Sequence, residues 1–419
     1  MNLPASTRAL IANRPFVTLL AARTISMLGM AFAPVALAFG VLRLPGADAG
    51  TLSLVLLAQT TPNVLFMLVG GVIADRYPRA VVLRWGEFLT GIAFGSIGLM
   101  MLSGNAPIWA LCVAAALAGT AGAAVYPALT GIIPDLVPAP QLQQANAWLS
   151  GGASGARLAG LVAGGAVVIW LGGGWAMVTA GTFYLLAGIL ALGLPELSAS
   201  LASTSEHPLR QLLDGWGEFR SRQWLWVVVL QFSLMVMVLQ AAHGVFGPVV
   251  AETELGGPAT WTTFLAAEAV GAVVGVALAF VWKPRRPILV ATLLTLSAGI
   301  PAILLGISAP LLPLVIAAFA MGASFELFGV WWMTTMQNEV PAEALSRVAS
   351  YDALGSMMLG PVGLMLAGPA TVAFGVHTAL IGAGLISLVT TGLALFSPEV
   401  RQLRARTRPS SDQEVAATA

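Results

Sequence analysis

Charged side chains buried in long apolar stretches are where this sequence can do chemistry. A charge at the centre of a membrane is disfavoured by about 2.5–3.5 kcal/mol on insertion scales, so it marks a site by default. Glu268 stands about ten residues into one apolar run, near mid-depth, and Glu326 stands toward the end of another. A buried carboxyl can hold a proton at physiological pH, so both are candidates to carry one, Glu268 first by depth. A hydrogen-bonded structural acid is the alternative for each. Arg157 lies about eleven residues into its run, roughly 17 Å deep at 1.5 Å per residue. It should face the central cavity or a carboxylate, where it could hold an anionic substrate group or depress the pKa of a proton-carrying acid. A fixed ion pair is the alternative. Arg23 is a second cavity candidate, although its shallower position lets it snorkel to the surface.

Other residues carry weaker signals. Trp331, Trp332 and Met333 follow Phe325 and Phe328. Met and aromatic side chains suit an adaptable apolar pocket, and they suit lipid contact or helix packing equally well. Consecutive positions cannot share a face, so at most one of the two tryptophans lines a cavity. Glu87 is expected to pair with Arg84 or a neighbour as a structural acid. His243 is more simply a satisfied polar residue than a proton relay. No two histidines have metal-ligand spacing, so no metal site is expected. The phosphate-binding pattern G-x-x-x-x-G-K-[ST] is absent, which argues against ATP-driven transport. No cofactor and no enzymatic activity are expected.

The elements that position these residues are helices in lipid. Of the 419 residues, 58% are hydrophobic and 9% charged, whereas a soluble domain carries about 25% charged residues. A net charge of +1 gives no reason to expect a nucleic-acid partner. A span needs roughly 20 apolar residues. Twelve runs qualify: 16–42, 51–73, 81–103, 107–132, 144–170, 175–195, 223–249, 259–282, 287–307, 310–336, 351–371 and 373–397. Leu171–Gly174 and Gly368–Pro369 are expected to be tight turns. With the N-terminus in the cytoplasm, sixteen of the 19 basic residues fall inside, Arg43 alone outside, and two within spans. That asymmetry fits the positive-inside rule and puts both termini in the cytoplasm.

The expected organisation is all-α: twelve transmembrane helices in two six-helix bundles, 1–195 and 223–400. A linker, 196–222, contains an amphipathic helix at His207–Arg222, and a disordered tail covers 401–419. The halves repeat at an offset of 203, which pairs Pro138 with Pro341, Gly119 with Gly322, Gly152 with Gly355, Gly160 with Gly363 and Gly165 with Gly368. Parallel repeats with a site between them are a carrier design.

Gly70-Gly71-Val72-Ile73-Ala74-Asp75-Arg76-Tyr77-Pro78-Arg79 resembles the signature between the second and third helices of the major facilitator superfamily. Pro134-Asp135-Leu136-Val137-Pro138, with Ala145-Asn146-Ala147, resembles its drug-, macrolide- and siderophore-efflux branch. The segments around Gly215-Trp216 and Tyr351-Asp352-Ala353-Leu354-Gly355-Ser356 resemble an actinobacterial subgroup. The resemblance implies a gating motif at Gly71, Asp75, Arg76 and Arg79, with Asp75 binding the N-terminal end of a helix in the other bundle. Asp352 could cap its helix or join that charge network. The chain departs from the branch at Met30, Leu161 and Met333, where acidic residues or a proline are usual.

The function expected is proton-coupled export of a small amphipathic molecule by alternating access, by a monomer in the cell membrane. The partners are the substrate, protons and lipid. An importer or an uncoupled facilitator of the same fold is the first rival. A non-transporting scaffold or a membrane enzyme is the rival from another class.

Overall fold

The computed structural model describes residues 10, 12–138, 141–196 and 216–405. Among these residues there are twelve helices long and apolar enough to cross a membrane and no strand. They are α1 (Arg14–Leu42), α2 (Ala49–Arg76), α3 (Arg79–Ser103), α4 (Ile108–Leu136), α5 (Leu142–Leu171), α6 (Gly173–Ala191), α7 (Gln223–Thr253), α8 (Pro258–Val281), α9 (Pro287–Gly306), α10 (Leu311–Glu339), α11 (Ala342–Met357 and Gly360–Phe374) and α12 (Val376–Ala394). Three are irregular. A π turn at Ala242–Phe246 interrupts α7, a 3₁₀ turn at Thr295–Ala298 interrupts α9, and α11 is broken between Met357 and Gly360. Helices α1–α6 pack as one bundle and α7–α12 as another.

Lipid gives helices no hydrophobic reason to associate, so close backbone approach through small residues matters more than in water. The glycines paired by sequence do this work, and they do it equivalently in each half. Gly119 brings α4 onto the Gln59 carbonyl of α2, while Gly322 brings α10 onto the Glu268 carbonyl of α8. Gly160 brings α5 onto Leu28 of α1, while Gly363 brings α11 onto Met237 of α7. The 203-residue offset is therefore a repeat of packing. A side chain at Gly119 or Gly322 must displace backbone. Gly119→Val and Gly322→Val are each expected to destabilise by about 1–3 kcal/mol or more. Gly151→Ala, which meets open space, should change stability by less than about 0.5 kcal/mol. Thermal unfolding of the purified protein in detergent reads the difference.

Two turns need left-handed backbone. Gly172, φ +89°, separates α5 from α6, and Gly375, φ +78°, separates α11 from α12. These two also differ by 203. The second turn is not where the sequence suggested: Gly368 and Pro369 lie within α11. The i−4 hydrogen bond lost at a proline is tolerable in a packed transmembrane helix, so Pro369 did not mark the end.

The polar segments fit less simply. Most of the expected amphipathic helix at His207–Arg222, with Leu209, Leu212 and Leu213, lies outside the described residues. Its last part is helical from Trp216 to Ser221, and Trp216 and Phe219 stack at 5.6 Å and meet the Tyr351 ring of α11. The tail is ordered further than expected. Pro398–Gln402 is a short helix, and the Ala405 amide donates to the Arg285 carbonyl at 3.0 Å. From residue 406 onward the tail lies outside the described residues.

One end of the bundles, here the basic end, holds the turns with Arg76, Arg79, Lys283, Arg285 and Arg286. The opposite end holds Arg43. At the Arg43 end, Glu254 ties three turns of the second bundle together. It accepts from the Ser308 hydroxyl at 2.5 Å and meets His377 Nε2 at 2.7 Å. The Ser308 hydrogen bond, then His377, hold the Glu254 carboxyl below its usual range. A depressed carboxyl contributes stability above its unfolded pKa and loses it as pH falls through the folded one. Acidification below about pH 4.3, the ordinary glutamate value, should therefore destabilise wild type more than Glu254→Gln. Thermal midpoints measured across that range check this.

Candidate functional site

The two bundles touch at the Arg43 end. Arg43 at the end of α1 makes a two-pronged ion pair with Glu252 at the end of α7, with Nε–Oε1 2.8 Å and Nη2–Oε2 3.2 Å. The Ser53 hydroxyl of α2 donates to the Leu364 carbonyl of α11. Gly368 of α11 packs on Gly50 of α2, and Gly165 of α5 packs on Thr262 of α8. Gly244, within the π turn of α7, sits against Leu56 of α2.

Beneath these contacts lies a cavity with two joined parts. The larger, about 550 Å³, has mixed walls, in which Arg23, Ser26, Asn63, Glu87 and Thr90 stand among apolar residues. The smaller, about 340 Å³, is mostly apolar, with Leu37, Leu56, Trp261, Leu265 and Leu364 beside His243. Met30, Gln59, Thr60, Phe94, Tyr184 and Gln240 line both. A molecule with one polar and one apolar end fits such walls.

The acids take partners that sequence reasoning did not give them. Glu268 on α8 has its Oε2 3.8 Å from His243 Nε2 of α7. The His243 Nδ1 lies 3.3 Å from the Leu239 carbonyl, so Nδ1 donates there and the buried Nε2 is left for Glu268. The imidazole lies against Trp261 and Phe264. His243 thus belongs to the site. A signal existed: residues 243 and 268 stand twelve residues either side of the Leu255–Gly256 turn, which places them at one depth. Glu87 does not pair with Arg84. Arg84 binds Glu196 at 2.9 Å, while buried Glu87 accepts from the Ser26 hydroxyl of α1 at 2.9 Å. Glu326 is half-buried on α10 and is not among the residues lining either compartment.

Arg23 is among the residues lining the larger compartment. Arg157 is exposed on α5, one to two turns from the glycines that meet α1 and α8. Trp331 and Trp332 do not line the cavity. Both are buried in the core of the second bundle, Trp331 edge-on to Trp282 at 4.9 Å and Trp332 stacked on Phe328 at 5.8 Å. Met333 is exposed, and it too is absent from the walls of both compartments. Asp352 neither begins nor caps its helix. It lies inside the first segment of α11 and accepts from the Trp332 indole at 3.0 Å and from the Ser356 hydroxyl at 3.3 Å. That bond explains why Trp332 turns away from the cavity: a buried indole N–H needs an acceptor.

The gating motif is only partly visible. Gly71, Asp75 and Arg76 form the last turns of α2, and Arg76 is exposed. The surroundings of Gly71 and the side chain of Asp75 lie outside what the structure describes. Arg79 opens α3 and pairs with Asp135 of α4 at 2.9 Å, within its own bundle. Among the described residues no group of three His, Cys, Asp or Glu could hold a metal ion.

Comparison with known proteins agrees with this architecture. A family model described as Major Facilitator Superfamily matches residues 16–355. The multidrug efflux pump Tap of Mycolicibacterium fortuitum is 25% identical over 372 residues, 85% of this chain and 89% of Tap. The enterobactin exporter EntS of Escherichia coli is 26% identical over 353 residues, 81% of this chain and 83% of EntS. A solved bacterial homolog of the human lysosomal transporter Spinster, in an inward-facing and unoccupied conformation, superposes with a TM-score of 0.70. That pair is 16% identical and covers 96% of this chain and all of the other.

Proposed function

Because the chain is a member of the Major Facilitator Superfamily, a multi-pass family of membrane transporters, we propose that it exports a small amphipathic molecule in exchange for protons. The observation that carries this is the two-part cavity, whose smaller compartment is lined by both bundles and has His243 in its wall with Glu268 3.8 Å from the imidazole. The efflux relatives support the direction. In this scheme the basic end is cytoplasmic, by the distribution of arginines, and the carrier works as a monomer. The contacts at the Arg43 end close the outer side, so the cavity is reached from the cytoplasm.

Glu268 and His243 exchange a proton as the bundles rock. Glu326 is the reserve carboxyl. Arg23 and Arg157 steer polar or anionic parts of the substrate. Asp75 and Arg76, with Gly71 giving close approach, latch the cytoplasmic side when it closes, while Arg79 braces the motif on Asp135. Asp352 acts by holding Trp332 and α10 in place rather than by meeting substrate.

The test is uptake into proteoliposomes under an imposed pH gradient, with a panel of drugs, siderophores and amino acids. Gradient-driven accumulation of a panel member supports proton-coupled transport. Equilibration without accumulation means a facilitator, and no movement of any panel member contradicts the export of drug- or siderophore-like molecules.

A further inference from the structure

Glu87 is a carboxyl for which packing supplies no sufficient reason. It sits on α3, two turns from the basic end, and is 7% exposed. Its Oε1 accepts from Ser26, but its Oε2 is buried with no hydrogen-bond partner. A buried acceptor without a donor is costly, and a charged one more so. Structural acids in membranes have their lone pairs filled, and this side chain, with one oxygen unfilled, is in the wall of the larger compartment. The charged and titratable neighbours on the packed helices are Arg23 of α1 and Tyr184 of α6, both of which line the same compartment. Where α4 faces this turn, Val125 stands against Gly86. On α3 itself Arg84 is engaged by Glu196.

Between Glu87 and the His243–Glu268 pair the cavity wall is not bare. Thr90, Asn63, Thr60, Gln59 and Gln240 line it in between. Amides and hydroxyls of this kind order water, and ordered water passes protons. The first bundle thus brings Glu87 to the wall of the larger compartment, and the second brings His243, 3.8 Å from Glu268, to the wall of the smaller one.

We propose that Glu87 is a second proton-carrying carboxyl of the cavity, serving the first bundle as the His243–Glu268 pair serves the second. This rests on the proton-coupled export proposed above. In the step itself the O–H bond of the Glu87 carboxyl breaks and the proton passes to a water that reaches it from the compartment this side chain lines. The carboxylate left behind keeps the Ser26 hydrogen bond and faces the positive charge of Arg23. Rebinding a proton from the cavity reverses the step. No other bond changes.

The experiment is infrared pH-difference spectroscopy of the full chain in lipid nanodiscs, without substrate, from mildly acidic to mildly alkaline pH. Wild type should show the carbonyl stretch of a protonated carboxylic acid that titrates, and Glu87→Gln should lose that component while Glu268→Gln keeps it. Identical spectra for wild type and Glu87→Gln would overturn the proposal. If Glu87→Gln fails to remain monodisperse, Ser26→Ala removes one hydrogen bond only. It must then shift the midpoint of the titrating band, and an unmoved midpoint overturns the proposal equally. Transport is scored separately in proteoliposomes. Absence of gradient-driven accumulation by wild type would contradict proton-coupled export, and the infrared result on Glu87 would still stand.

Discussion

Gly368→Leu should cut transport at least about tenfold while leaving each bundle folded. Gly368 meets Gly50 across the bundle boundary, with the Gly50 Cα where a side chain would go. A leucine there would prop the Arg43 end open by the thickness of a side chain. Overpacking of this kind costs roughly 1–3 kcal/mol. Here it falls only on the state in which that end is closed, and 1.4 kcal/mol is a factor of ten in a two-state equilibrium. Gly165→Leu, against Thr262, is the equivalent change in the other half and should act the same way. The contrast is with Gly119→Val, whose clash lies within a bundle and whose cost appears as lost thermal stability. Transport and thermal midpoint measured on the same preparations separate the two. Transport at wild-type rate in Gly368→Leu would mean that the Arg43 end need not close.

The second large effect is expected at Glu268. A one-unit pH gradient stores about 1.4 kcal/mol per proton, enough for about tenfold accumulation of a substrate exchanged one for one. Glutamine keeps the shape of Glu268 and cannot take a proton. Gradient-driven accumulation should fall to about onefold in Glu268→Gln, while substrate exchange without a gradient stays within about threefold of wild type. Persistence of accumulation would move the coupling to Glu87 or Glu326. His243→Gln should weaken accumulation less, since the imidazole lies 3.8 Å from the carboxyl, beyond a direct hydrogen bond.

The helices and their two-fold organisation were legible in the sequence because both follow from local composition. Apolar length sets a span, and the 203-residue offset set equivalent glycines that the structure shows in equivalent contacts. The partners of the charged residues were far less legible. Glu87 and Arg84 are one turn apart on one helix, which made them the local choice. The actual partners, Ser26 and Glu196, are 61 residues before Glu87 and 112 residues after Arg84. No periodicity carries that information. Trp332 and Asp352 stand 20 residues apart on successive helices. Trp332 was read as a cavity wall and Asp352 as a cap or a member of the gating network, because their bond appears only when α10 and α11 pack. The His243–Glu268 pair was the recoverable case, since hairpin symmetry about one turn places both at one depth.

Alternating access is the central claim, and Met30 gives the most direct test of it. Met30 lines both compartments and is 56% exposed. The chain has one native cysteine, Cys112, so Met30→Cys on a Cys112→Ser background carries a single thiol in the cavity. A membrane-impermeant thiol reagent should label it in inside-out vesicles and leave it unlabelled in intact cells. Adding Gly368→Leu should reverse that preference. Labelling from the outside alone, or a pattern that Gly368→Leu leaves unchanged, would contradict a carrier that opens to one side at a time through this cavity.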